Sequence, residues 1–268
     1  MKYKLLALDM DDSLLSEDLS ISPKNIEALH AIEDMGTKIM LCSGRPLASM
    51  VKYLDVLGFH NQDDYIVSFN GALIHKLSGE EIFNQRISGP ILESLIDIGR
   101  KNNLDVQLYN DEMTVERYTE KTRIYELLTG LETKIIDDLK TVKESVKVLY
   151  NHVAGPELEN HRLELIEKFG DELNIFYSKP NYVEVLNKKS SKGLAIEYLA
   201  KKLGIDRSEV VAMGDGFNDV SMLQFAGVGI AVANAADGVK ANANYVTKAT
   251  HNEDALWEVY EKYFLGNK

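Results

Sequence analysis

From the N-terminus to Asn70, apolar and polar positions fall into blocks that switch repeatedly from strand-like to helix-like. Tyr3 to Asp9 is a near-continuous apolar run ending in an acid, the pattern of a parallel strand covered on both faces. Ser22 and Pro23 then open a helix that carries Ile26, Leu29, Ile32 and Met35 near helical spacing, and Gly36 closes it. Lys38 to Cys42 reads as a second strand, Pro46 starts a helix closed by Gly58, and Tyr65 to Phe69 is a third strand ahead of Asn70-Gly71. The C-terminal third repeats the alternation. A helix from Ser191 to Leu203, a strand Glu209 to Met213, a helix from Asn218, an apolar run Val228 to Val232 and a last amphipathic helix Asn252 to Phe264 are expected. Strands alternating with helices in both thirds predict an α/β fold with a doubly wound parallel sheet, the two thirds being halves of one sheet.

The middle of the chain has a different rhythm. After hairpin-like segments at Ala72 to His75 and Ile82 to Ile87, Pro90 opens a helix, strands follow at Asp105 to Tyr109 and Met113 to Arg117, and a helix runs to Leu128. Val146 to Val153, a helix after Pro156, Leu173 to Tyr177 and Tyr182 to Leu186 complete it. Helices mixed with antiparallel strands predict a separate α+β domain at 84–186, inserted into a core made of 1–83 and 187–268. Tyr109, Asn110 and Tyr177, at strand ends in the insert, are its first candidates for facing a ligand.

Composition narrows the setting more than the chemistry. The chain has 268 residues, 45% hydrophobic and 27% charged, the balance of an ordinary globular protein. Its single cysteine, Cys42, cannot form an internal disulfide, and a reducing cytoplasm fits best. Forty-two acidic residues against 30 basic ones give a formal charge of -12, so nucleic acid and anionic membranes are poor partners, and no apolar run approaches the ~20 residues that span a bilayer. A small anionic substrate stays open, because a local site can be positive or metal-loaded on a negative protein.

In an open α/β sheet ligands bind outside the carboxyl ends of the strands, and here those ends are unusually polar. The first ends in Asp9, Met10, Asp11, Asp12 and Ser13, the second in Ser43, Gly44 and Arg45, and the late one in Gly214 to Asp219, while Lys192 begins the preceding helix. Carboxylates separated by one residue on an extended segment point the same way, so Asp9 and Asp11 can face one reacting atom. A carboxylate is a competent nucleophile toward phosphorus, and a second acid can protonate the leaving oxygen. Asp215 would complete a hard oxygen site suited to Mg2+, with Ser43 and Lys192 donating to phosphoryl oxygens. Taken singly, each motif has an ordinary explanation: a solvated acidic turn, a turn before a helix, a surface lysine, a glycine-rich turn capped by Asn218. Their joint occurrence at the ends of one sheet is what points to a site. Cys42 should face away from Ser43 as a small buried hydrophobe, the six histidines lack metal-ligand spacing, and no Walker-type or complete dinucleotide loop is present.

At these residues the sequence resembles the haloacid dehalogenase superfamily of phosphatases, in its Cof-type, sugar-phosphatase-like branch with a type IIB α+β cap. DMDDSLL, LCSGRP, SFNGA, the lysine-glycine of SSKGLAIEYL, GDGFNDVSML and the terminal NEDALWEV carry the resemblance, in the family's order. It implies a magnesium-dependent phosphomonoesterase that hydrolyses a small phosphorylated metabolite, a sugar phosphate or similar, through an aspartyl-phosphate. Asp9 would be the nucleophile and Asp11 the general acid/base. Ser43, Gly44, Arg45, Asn70, Lys192 and Asn218 would contact phosphate or substrate, Arg45 and Asn70 flanking the entrance. The Asp9 carboxylate, the Asp11 backbone carbonyl and Asp215 would bind magnesium, and Asp219 would act as a further ligand or support one. The cap is expected to choose the substrate, and the protein to be a monomer or small homo-oligomer. A phosphosugar mutase of the same superfamily and a non-catalytic phosphate-ligand sensor are the alternatives, the second disfavoured by an intact Asp9 and Asp11 pair. Ser13 stands where the family often has threonine, Lys189 and Ser190 replace glycine and an apolar residue before the lysine, and Ala233 and Ala255 stand where glycine is common. None of these departures removes a reacting group.

Overall fold

A computed structural model describes residues 2–59 and 63–266. Along the chain lie β1 (Leu5–Asp9), α1 (Pro23–Asp34), β2 (Lys38–Cys42), α2 (Leu47–Leu57), β3 (Tyr65–Ser68), β4 (Leu73–Lys76) and β5 (Glu81–Asn84). There follow β6 (Ile87–Ser88), α3 (Gly89–Lys101), β7 (Asp105–Tyr109), β8 (Met113–Val115), α4 (Glu120–Thr129), β9 (Thr133–Ile135), β10 (Glu144–Ser145) and β11 (Lys147–Asn151). The last stretch holds α5 (Pro156–Phe169), β12 (Leu173–Lys179), β13 (Tyr182–Asn187), α6 (Lys192–Leu203), β14 (Val210–Gly214), α7 (Val220–Phe225), β15 (Val228–Ala231), α8 (Asp237–Lys240), β16 (Tyr245–Val246) and α9 (Ala255–Val259). Among the described residues no helix is long and apolar enough to cross a membrane.

The chain divides into two compact units. The first takes residues up to Gly44, Val51–Phe83 and everything from Ser191 onward. Its eight-stranded sheet has the order β16-β15-β14-β1-β2-β3-β4-β5, parallel from β16 through β3, with β4 antiparallel to β3. Leu5, Ala7, Met40, Cys42 and Val67 pack with Ala195, Ile196 and Leu199 of α6 and Met222 and Leu223 of α7. Leu6, Leu8, Ile39 and Leu41 alternate to the other face and are fully buried as well, so both faces are covered and the strands read as continuous apolar runs. The doubly wound parallel core expected from the alternation is therefore present.

The second unit comprises Arg45–Met50 and Asn84–Ser190. Its six strands run β12-β13-β11-β7-β8-β9, mostly antiparallel, with α4 crossing between the parallel pair β8 and β9. Leu92, Leu95 and Ile96 of α3 and Leu158 and Leu165 of α5 share a core with Leu108, Val148, Tyr150, Val183 and Val185 of the sheet. The Ile82 to Ile87 run splits in two, because β5 joins the core sheet while β6 pairs with β10. Tyr109 is fully buried, its hydroxyl donating to Gln107 Oε1 at 2.5 Å, and the Asn110 side chain donates to the Glu144 carbonyl and accepts the Val146 N–H. Of the three residues considered as ligand-facing, Tyr109 and Asn110 are thus engaged in packing and hydrogen bonds, and Tyr177 is 38% exposed beneath the Arg162 guanidinium.

In the first unit, strand register decides which residues meet. Asp9 pairs with Cys42 across β1 and β2, Cys42 with Val67 across β2 and β3, and Leu8 with Met213 across β1 and β14. The residues that follow, Met10 onward, Ser43 onward, Phe69 onward and Asp215 onward, consequently leave the sheet side by side. The turn after β3 approaches the start of α6 closely enough to require glycine: Gly71 has φ +96°, and a Cβ there would lie 2.2 Å from the Ser191 carbonyl oxygen. Gly71→Ala should cost about 2 kcal/mol or more, from backbone strain and the displaced α6 terminus together. Gly79→Ala, at φ +91° with no atom within 4 Å, should cost only about 1 kcal/mol. Denaturant unfolding of both variants checks this, and equal losses would mean that the close approach carries no weight.

Candidate active site

β1 stops at Asp9, and the chain turns at once through a single wide loop, Met10 to Leu14, closed by the Leu15 N–H donating to the Met10 carbonyl at 2.8 Å. Asp12 sits in the left-handed region at φ 54°. The extended segment expected to hold both aspartates therefore ends between them, yet Asp11 stays in the same neighbourhood: Ser43 Oγ donates to Asp11 Oδ2 at 3.4 Å. Ser13, two residues on, donates to Asp215 Oδ1 at 3.1 Å.

Lys192 is the first residue of α6 and is completely buried. Its Nζ donates to Asp9 Oδ1 and to Asp219 Oδ1, the second at 2.5 Å. The other oxygen of Asp219 accepts the N–H groups of Asp215 and Gly216, at 3.0 and 2.8 Å. Asp219 is thus fully engaged, one oxygen holding the lysine and the other shaping the loop that carries Asp215. Gly214 is part of this arrangement, since a Cβ there would lie 2.6 Å from the Asp219 carboxyl carbon.

On the other side, Asn218 Nδ2 donates to Asn70 Oδ1 at 3.0 Å, and Asn70 N–H donates to the Ser43 carbonyl. A Cβ on Gly44 would meet the Asn70 amide at 3.1 Å, so the lack of a side chain lets Asn70 lie across this strand end. Asp9, Asp11, Ser43, Gly44, Asn70, Lys192, Asp215, Asn218 and Asp219 all belong to the first unit, these bonds linking Asp9, Lys192, Asp219 and Asp215 in one set and Asp11, Ser43, Asn70 and Asn218 in another. Arg45 lies in the segment Arg45–Met50, which groups with the second unit.

The charges do not balance. Asp9, Asp215 and Asp219 each offer a carboxylate oxygen within 4.8 Å of the others, against one ammonium. Burial, and then the neighbouring Asp219 charge, hold Asp9 well above the usual carboxylate range in spite of Lys192. Burial and Asp219 likewise push Asp215 up to about 7. Burial alone would lower the Lys192 ammonium, but Asp9 and Asp219 outweigh it and hold the group above its ordinary value, so it stays charged. Three hard oxygen donors with an uncompensated negative charge suit a divalent cation such as magnesium. The Asp11 carboxylate lies outside that cluster.

Asn234 is a further residue at this end of the sheet, beyond those the motifs single out. Its Nδ2 donates to the Asp12 carbonyl at 2.8 Å while its Oδ1 accepts the His251 N–H at 3.0 Å, which ties the Asp11-Asp12-Ser13 loop to the chain near its C-terminus. The signal was available: Asn234 follows β15, another parallel strand, at the same end of the sheet.

A family model described as haloacid dehalogenase-like hydrolase matches residues 6–259. YxeH of Bacillus subtilis (strain 168), named as a phosphatase, is 31% identical over 97% of this chain and 98% of its own. The crystal structure of a haloacid dehalogenase-like hydrolase from Bacteroides thetaiotaomicron superposes with a TM-score of 0.87 at 31% identity, covering 97% of this chain and 99% of that one. A solved sugar phosphatase of subclass IIB superposes with a TM-score of 0.81 at 26% identity, covering 98% and 99%.

The raised Asp215 has a definite sign in stability. A carboxyl whose folded pKa exceeds its unfolded value contributes stability that is present below about pH 4 and is lost as pH rises to about 7. In chelator, Asp215→Asn should therefore melt at nearly the wild-type temperature at pH 4 and on the order of a few degrees above it at pH 8. Saturating magnesium should reverse the order at pH 8 if Asp215 is one of its ligands, since the variant lacks that carboxylate. A melting difference that stays constant from pH 4 to pH 8 in chelator would contradict the electrostatic account.

Proposed function

The chain belongs to the haloacid dehalogenase-like hydrolase family and is a phosphatase acting on phosphorylated small molecules; from that premise we propose that it hydrolyses a sugar phosphate or similar monoester with magnesium, through an aspartyl-phosphate. The observation that carries this reading is the buried Lys192 ammonium gripping Asp9 at the end of β1, with Asp215 and Asp219 gathered beside it. A carboxylate held in place by a cation inside a cluster of uncompensated acids is set up for attack on an electrophile that arrives with its own negative charge and a counter-ion.

The Asp9 carboxylate, the Asp11 backbone carbonyl and Asp215 would hold the magnesium ion, with Asp219 steadying Asp215 through its backbone N–H. Bound there, the ion offsets the carboxylate charge and that of the phosphoryl oxygens. One Asp9 oxygen attacks phosphorus, the bond to the ester oxygen breaks, and Asp11 donates its proton to the departing alkoxide. Asp11, now a carboxylate, takes a proton from water as that water attacks the aspartyl-phosphate, which frees inorganic phosphate and restores Asp9. Lys192 and Ser43 donate to the transferring phosphoryl group, and Asn70 and Asn218, already bridged, line the approach. Selection among esters falls to the second unit. The solved sugar phosphatase of subclass IIB supports the choice of substrate class.

Phosphate release across a panel of sugar phosphates, nucleotides and cofactor phosphates, with magnesium and with chelator, tests the proposal. Turnover of at least one sugar phosphate that chelator abolishes is the expected result, and isomerised phosphosugar with little free phosphate would overturn it in favour of a mutase. Asp9→Asn should keep the fold and lose about three orders of magnitude or more in turnover, since the amide keeps the shape but not the nucleophile.

A further inference from the structure

Lys192 can reach Asp9 on β1 and Asp219 ahead of α7 at once only if the first turn of α6 stands at one height beside α7. The amides of that turn have no partner within the helix, and two of them find oxygen outside it. Leu194 N–H donates to Ser191 Oγ at 3.2 Å, the ordinary cap of such a helix. Gly193 N–H donates instead to Ser221 Oγ at 3.1 Å, on the neighbouring helix α7. The two helices meet there backbone to backbone, since a Cβ on Gly193 would lie 2.5 Å from the Ser221 carbonyl oxygen. Ser221 therefore bonds the residue next to Lys192, while Asp219, two residues before Ser221, takes the Lys192 ammonium itself.

We infer that Ser221 is a positioning residue for the reaction: its hydroxyl fixes the start of α6 against α7 and so sets where the Lys192 ammonium stands relative to Asp9 and the transferring phosphoryl group. The inference rests on the phosphatase reading of Lys192 given above. Ser221 touches no reacting atom in this account, and its effect passes through the Gly193 amide. Alanine at 221 removes the acceptor and nothing else of size. Threonine restores it.

The test compares wild type, Ser221→Ala and Ser221→Thr in three measurements: amide hydrogen exchange at Gly193, the dissociation constant of inorganic phosphate with magnesium present, and steady-state kinetics on the best ester of the panel. Ser221→Ala should speed Gly193 exchange, weaken phosphate binding and lower kcat/KM by about 3- to 10-fold each, the scale of one lost hydrogen bond, and Ser221→Thr should recover all three. Unchanged Gly193 exchange in Ser221→Ala overturns the bond as the link. Faster exchange with wild-type phosphate affinity and kinetics overturns the transmission to Lys192. Equal losses in alanine and threonine, following a fall in melting temperature, overturn positioning in favour of packing. A wild-type protein that hydrolyses no ester overturns the function itself, and that outcome is distinct from the other three.

Discussion

The buried carboxylates at the carboxyl end of the parallel sheet are arranged around one buried ammonium group. Lys192 has no access to solvent and stands between two carboxylates, Asp9 and Asp219, that are themselves almost entirely buried. An isolated charge in that position would cost many kcal/mol, so the lysine and its acids are tolerable only together. The local backbone yields to this requirement. Gly214 leaves room for the Asp219 carboxyl, Gly193 lets α6 close on α7, and Gly71 lets the turn after β3 reach the residue before Lys192.

One positive charge does not neutralise the cluster, and the excess is what the site can use. With Asp215 added there are three carboxylates to one ammonium, and burial together with the Asp219 charge holds Asp9 and Asp215 above the usual carboxylate range. A surplus of that size suits a divalent cation, whose two positive charges would offset it. Asp219, with both oxygens engaged, holds the Lys192 ammonium on one side and the Asp215-Gly216 backbone on the other.

The second unit offers the contrast. Lys147 is equally buried, but its Nζ lies 3.3 Å from Glu184 and 2.9 Å from the Tyr125 hydroxyl, and 4.5 Å from the centre of the Tyr109 ring. One carboxylate, one hydroxyl and an aromatic face satisfy one ammonium, and the balanced group behaves as part of the packing. Two buried lysines in one chain are distinguished by the charge around them and not by their burial.

The amino-acid sequence by itself determined the layered α/β core, because apolar runs on strands buried on both faces and capped, periodic helices are local patterns legible in a single chain. It also marked where chemistry would collect, since Asp9, Ser43, Lys192 and Asp215 each stand at a strand end or helix start. It did not show β9, β16 or α8, each four residues or fewer and too short to display a period, nor that the last helix starts only at Ala255, after Asp254 has taken a left-handed conformation. It marked the strand end at which Asn234 stands but not its partners, Asp12 and His251, nor that Ser221 would hold Gly193, for those bonds join residues 222, 17 and 28 positions apart. Only the tertiary structure decided that Asp219 spends its oxygens on Lys192 and two backbone amides while Asp215 stays half-exposed. Local sequence sets which residue types reach the end of the sheet. Which of them becomes a fixed support and which remains free to bind depends on distances of a few ångströms between elements far apart in the chain.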